Sequence, residues 1–183
     1  MGKSTVSHYL DLTYQLPVLD ADLYAREAVE PGSQGLANIA ERYGAELLLP
    51  DGSLDRRRLG EIIFSNSTER AWLEQQIHPY VRDRITTHLQ SLNHAPVVVV
   101  VIPLLFEARM TEIVTEIWVV RSSLARQQQR IMERDRLSLE QIQARIASQM
   151  AIEQKVAQAD VVLDNSTTLE ALYQQIDAAI QGK

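Results

Sequence analysis

Gly2-Lys3-Ser4-Thr5 brings together the residue types of a phosphate-binding helix mouth. Glycine lets the backbone approach a phosphate, lysine reaches its oxygens, and a serine hydroxyl can ligate Mg²⁺. A helix start adds backbone N–H donors and a favourable dipole. The other reading of these residues is an ordinary helix start with a Ser or Thr cap. Asp20-Ala21-Asp22 is the second candidate. Two carboxylates two residues apart at a strand end point to the same side. One can take a proton from a hydroxyl while the other organises a metal and its water. The alternative is a helix N-cap, where aspartate is favoured for its own reasons. Third, Arg126, Arg130 and Arg134 recur every four residues, along one stripe of a helix, with Arg145 on the next helix. Such a stripe can clamp a polyphosphate, or it can be a solvated face balanced by Glu133, Asp135 and Glu140.

These groups need a scaffold, and the apolar pattern supplies one. Val97 to Ile102 is six β-branched residues without polar alternation, which predicts a strand covered on both faces. Ile117–Val120 and Asp160–Leu163 predict two more strands, and Pro17–Leu19 a short one. Helices are predicted over 4–12, 123–134, 139–150 and 168–180, with a break at Arg136-Leu137-Ser138. Short buried strands alternating with helices indicate an α/β fold with a mostly parallel sheet. Residues 23–94 form a strand-free helical block, read as an insertion on the substrate side. Within it helices are predicted over 36–43, stopped by Gly44, then over 54–64, 68–77 and from Pro79 to about Leu92.

A formal net charge of −6 argues against a general binder of nucleic acid or acidic membranes. The absence of cysteine excludes a disulfide framework and thiol catalysis, and suits a reducing cytoplasm. The longest aliphatic run is far too short to span a bilayer. No His or carboxylate cluster has transition-metal spacing. His8, His88 and His94 read as exposed, Trp118 as core, and Arg56-Arg57-Arg58 as a surface patch.

In this order and spacing the motifs resemble the dephospho-coenzyme A kinase family. The matching segments are GKSTV (2–6), VLDADLYAREAVEPGS (18–33), DGSLDRRRL (51–59) and IHP (77–79). The series continues with IPLLFE (102–107), RIMERD (130–135), ARIASQM (144–150) and ADVVLDNS (159–166). The resemblance implies a P-loop NTPase-type three-layer α/β/α fold with a five-stranded parallel sheet, a helical acceptor-binding insertion and a lid. It implies a nucleotide-binding core of 1–22, 95–121 and 157–183, an insertion of 23–94 and a lid of 122–156. It implies γ-phosphoryl transfer from ATP, with Mg²⁺, to the ribose 3′-hydroxyl of dephospho-CoA. Matched position by position, Gly2, Lys3, Ser4 and Thr5 take the ATP phosphates, and Ser4 also the metal. Asp22 becomes the base, and Asp20 supports the metal and water. Arg26, His78, Pro103, Leu104, Leu105 and Glu107 fall on the acceptor side. Arg134 and Arg145 belong to the lid, and Asn165 to the loop beside the adenine. Partners are then the two small molecules, with neither nucleic acid nor membrane.

The family opens with a strand and a loop of the form GGIGSGKST, and Met1 stands just before the last glycine of that pattern. The expectation is that the central strand is missing and that the chain as written folds poorly and has little activity. Two other readings are another small-molecule P-loop kinase and a non-catalytic remnant that binds CoA-like ligands. An acceptor screen separates the first, and calorimetry with each substrate the second.

Overall fold

Val6 and Leu10, about one turn apart, are the buried stripe of the first helix, α1 (Lys3–Tyr14). The computed structural model describes residues 2–135 and 138–182, with the side chains of Arg134, Asp135 and Arg145 outside that description. After α1 come β1 (Val18–Asp20) and α2 (Ala21–Glu27). Three helices follow: α3 (Gln34–Tyr43), α4 (Arg56–Ser65) and α5 (Ser67–Ser91). The chain then runs through β2 (Val99–Val101), β3 (Trp118–Arg121), α6 (Leu124–Asp135) and α7 (Leu139–Ala147). It ends with α8 (Ile152–Val156), β4 (Val161–Asp164) and α9 (Leu169–Gln181). Among the described residues no helix is long and apolar enough to cross a membrane.

Packing divides the chain into two units, Met1–Val18 with Pro103–Lys183, and Leu19–Ile102. This differs from the three-part reading of the sequence. Residues 19–22 and 95–102 group with the helical segment, because β1 ladders with β2 and α2 packs on β2. Residues 122–156 stay with the first unit.

In the first unit, β3 and β4 run parallel, with Val119 opposite Val162 and Arg121 opposite Asp164. Val119, Val120 and Leu163 are buried, and α9 contributes Leu172 and Ile176, both fully enclosed. Helix α1 is fastened to α9 by two phenols. The hydroxyls of Tyr9 and Tyr14 donate to Asp177 Oδ1 at 2.9 and 2.7 Å, and the Tyr9 ring stacks on Tyr173.

The second unit has its own core of Val29, Leu36, Ile39, Leu47, Leu54, Leu59 and Leu73. Helix α3 is capped at both ends. The Ser33 hydroxyl accepts the Leu36 N–H at 3.1 Å, and Gly44, at φ 88°, donates its N–H to Ala40 at 2.9 Å. The stop at Gly44 stands as read from the sequence. The two helices expected on either side of Pro79 are one helix, α5, with the proline inside. A proline costs a helix one hydrogen bond. Here Leu73, Val81 and Ile85 keep a buried stripe running across it, and that burial holds the helix together.

The sheet departs from the expected continuous one. The four described strands form two two-stranded sheets, β1 with β2 and β3 with β4. The valines of β2 are half-buried, where the sequence predicts cover on both faces.

Candidate functional site

Gly2 precedes α1 with φ 108°, a left-handed conformation in which a side chain is strained. A Cβ there would stand 2.1 Å from Asn165 Nδ2. The helix mouth and Asn165, two of the sequence candidates, are thus brought into contact. Asn165 is 2% exposed. The Gly2 carbonyl accepts the Val6 N–H at 3.0 Å, so the helix is hydrogen-bonded from its first turn. Lys3 and Thr5 are half-buried, and Ser4 is exposed.

Around Asn165 the ends of β3 and β4 are tied tightly. The Asn165 N–H donates to the Arg121 carbonyl at 2.8 Å. Arg121 Nη2 lies 3.0 Å from Asp164 Oδ2. The Ser166 N–H donates to Asp164 Oδ1 at 2.8 Å. Ser166, ahead of the Arg121 guanidinium, holds the Asp164 carboxyl below its usual range against the opposing effect of burial. From α9, Gln175 donates to the Asp164 carbonyl and accepts its N–H, at 3.0 and 2.8 Å. Asp164 and Ser166 line a cleft of about 790 Å³ with Arg121, Ser123, Met150 and Lys155.

Of the arginine series, Arg126 donates to the Thr167 carbonyl at 2.7 Å, holding the start of α6 on the loop after β4. Its guanidinium braces protein backbone in this structure. Arg134 and Arg145 lie on α6 and α7, and their side chains fall outside the described residues.

In the second unit, Asp20 and Asp22 do not share a strand face as the spacing suggested. Asp20 ends β1 and caps α2, and Asp22 is the second residue of that helix. The cap reading therefore holds for Asp20. Ala21, Tyr24 and Ala28 turn α2 inward. This leaves Asp22 and Arg26, four residues apart, exposed on the other side. His78 is half-buried in α5.

Pro103, Leu104 and Leu105 are half-buried in the first unit, in a turn closed by the Ala108 N–H donating to the Leu104 carbonyl at 2.8 Å. Glu107 follows, and its carboxylate meets Lys155 at 2.7 Å.

A family model described as dephospho-CoA kinase (CoaE) matches residues 1–171. The chain belongs to the dephospho-CoA kinase family. A dephospho-CoA kinase from Trichormus variabilis is 58% identical over 179 residues, covering 98% of this chain and 91% of the relative. One from Synechococcus elongatus is 51% identical over 180 residues, covering 98% and 86%. A dephospho-CoA kinase structure from Campylobacter jejuni superposes with a TM-score of 0.71 at 32% identity, covering 98% of this chain and 90% of that one. A crystal structure from Thermus thermophilus gives 0.80 at 34% identity, covering 99% and 91%. The fold is accordingly α/β with parallel strands, of the P-loop NTPase type.

Within this dephospho-CoA kinase family member, three residues that support the site were missed from the sequence: Arg121, Gln175 and Lys155. Arg121 had a legible signal, because pairing the two predicted strands sets it opposite Asp164. Gln175 and Lys155 had none, since their partners are fixed only by how the helices pack.

Proposed function

We propose that the chain transfers the γ-phosphoryl group of ATP to the ribose 3′-hydroxyl of dephospho-CoA, giving coenzyme A. The observation that carries this reading is the contact of Gly2 with Asn165 at the start of α1. It presents Lys3, Ser4 and Thr5 on a helix N-terminus beside the ends of β3 and β4.

Phosphoryl transfer needs little covalent chemistry from protein; it needs alignment and neutralisation of spread charge. Lys3 and the backbone N–H groups of the helix mouth bind the ATP phosphates. Asn165 lines the adenine side. Asp22 accepts the proton of the attacking hydroxyl, while Arg26, His78 and the Pro103-Leu104-Leu105 turn orient the acceptor. Arg134 and Arg145 act from a lid over residues 122–156, whose closure excludes water that would otherwise consume ATP.

Mg²⁺ fits this donor set. Among the described residues no cluster of three or more His, Cys, Asp or Glu forms a dedicated cage. That suits an ion held by one or two protein oxygens plus phosphates and water. Ser4 would ligate it and Asp20 organise its water, and the bound ion would neutralise charge on the phosphate oxygens. The setting is cytoplasmic, in keeping with a cysteine-free chain.

The deciding experiment couples ADP release to mass detection of coenzyme A, with nucleosides and shikimate as competing acceptors. Transfer to dephospho-CoA alone supports the reading. Transfer to another acceptor, or binding of dephospho-CoA without ATP, overturns it.

A further inference from the structure

Glu107 follows the Pro103-Leu104-Leu105 turn, yet its hydrogen bonds go to a distant segment of the same unit. Its Oε1 accepts from Lys155 Nζ at 2.7 Å and from the Met150 backbone N–H at 3.0 Å. Lys155 is 9% exposed, and with Asn165 it is one of two buried polar residues among those described. An ammonium so far removed from water depends on its carboxylate partner. Burial pushes the Glu107 carboxyl up, but the Lys155 hydrogen bond and the backbone N–H outweigh it and hold the group below its ordinary range. Glu107 Oε2 is also buried and accepts no hydrogen bond among the described residues. The carboxylate is thus committed to the 150–155 segment.

That segment has a particular place. Met150 lies between α7 and α8, where the chain leaves the pair α6 and α7 and heads for β4. Met150 and Lys155 both line the cleft beside Asp164 and Ser166. The other end of the tether is the loop after Ile102, whose turn orients the acceptor in the proposed reaction.

We propose that Glu107 is a positioning residue: by gripping Lys155 and the Met150 amide, it fixes the base of the lid to the acceptor-side loop. One ion pair then sets the wall of the nucleotide cleft where α7 gives way to α8. This rests on the kinase reading, and it gives Glu107 work that requires no contact with substrate.

The test uses the full chain with Glu107→Ala, Glu107→Gln, Lys155→Met and the double variant Glu107→Ala/Lys155→Met. Amide hydrogen exchange is followed at 148–156, together with kcat, KM for each substrate and ATP consumed without transfer. Met150 exchange should rise about tenfold or more in Glu107→Ala and stay near the parent in Glu107→Gln, which keeps an acceptor for that N–H. Both Lys155→Met and Glu107→Gln should lower kcat about tenfold with KM for dephospho-CoA little changed, and the double variant should be no worse than Glu107→Ala. The fraction of ATP lost to water should grow in each. A raised KM for dephospho-CoA at constant kcat would make Glu107 an acceptor contact and overturn the proposal. Multiplying single effects, or unchanged Met150 exchange in Glu107→Ala, would do the same. If Glu107→Ala does not fold, Glu107→Gln and Lys155→Met carry the kinetic test. A parent chain that transfers nothing to dephospho-CoA would sink the kinase reading, while the exchange result still judges the tether.

Discussion

Asp20 Oδ1 accepts the backbone N–H of Asp22 at 2.9 Å, so the first aspartate holds the helix turn that presents the second. Substitution can separate the observed cap from the chemistry proposed for Asp22. Asp20→Ala removes the cap and should cost about 1 kcal/mol of stability, whereas Asp20→Ser should keep most of it. Asp22→Asn leaves the cap intact and should lower kcat roughly 10²–10⁴-fold with ATP affinity nearly unchanged. Thermal melts, calorimetry with ATP and single-turnover kinetics separate the three outcomes. Equal loss of ATP binding and turnover in Asp22→Asn would contradict its role as base.

Gly2→Ala meets two obstacles at once, a left-handed backbone and Asn165 Nδ2 at 2.1 Å from the new carbon. The side-chain amide can swing away, but the backbone strain of roughly 1–3 kcal/mol stays. ATP affinity should fall, and the double variant Gly2→Ala/Asn165→Ala should bind ATP more weakly than Asn165→Ala alone. Equal affinity in those two would mean the clash, not the backbone, decides.

Acid should loosen the second unit through Glu69. This carboxylate accepts from Arg42 Nε and Nη2 at 2.8 and 2.9 Å and from the Tyr43 hydroxyl. These bonds, the Arg42 one foremost, hold its pKa at about 2 against an ordinary 4.5. A depressed carboxyl stabilises the fold above its unfolded pKa and loses that contribution as pH falls. Melting curves should therefore show the parent above Glu69→Gln at neutral pH, with the gap closing below about pH 4.5. A gap that is constant with pH would exclude the linkage.

Alkali should act on the first unit through Tyr14. Its hydrogen bond to Asp177, with burial and the negative charge of that residue adding to it, raises the phenol to about 12 from 10.0. The sign is opposite to that of Glu69. The contribution is complete below pH 10 and is lost as pH climbs towards about 12. Ultraviolet titration of phenolates should show a late-titrating tyrosine that Tyr14→Phe removes and that Asp177→Asn brings down.

What could be read from the chain follows from where information is local. The mostly apolar runs at 117–120 and 160–163 announced β3 and β4 to within a residue, and Gly44 announced the end of α3. Asp20 was read with both of its roles, and the cap turned out to be its hydrogen-bonded one. Pro79 misled, because its helix-starting habit is a local preference and the stripe of Leu73, Val81 and Ile85 is a tertiary fact. The Arg126–Thr167 contact and the tether of Glu107 to Lys155 join segments remote in sequence, and no spacing rule reaches that far. The two sheets had the same difficulty, since strand partners are chosen by packing rather than by neighbouring residues.

The bond from Tyr9 to Asp177 joins residues 168 apart, and the unit they close is assembled from two segments remote in sequence. During synthesis, α1 leaves the ribosome well before α9 and must wait for it. The contiguous stretch from Leu19 to Ile102 faces no such delay and can settle while translation continues. For that interval Tyr9 and Tyr14 lack their partner Asp177, so chaperone demand should fall on the nascent α1 segment.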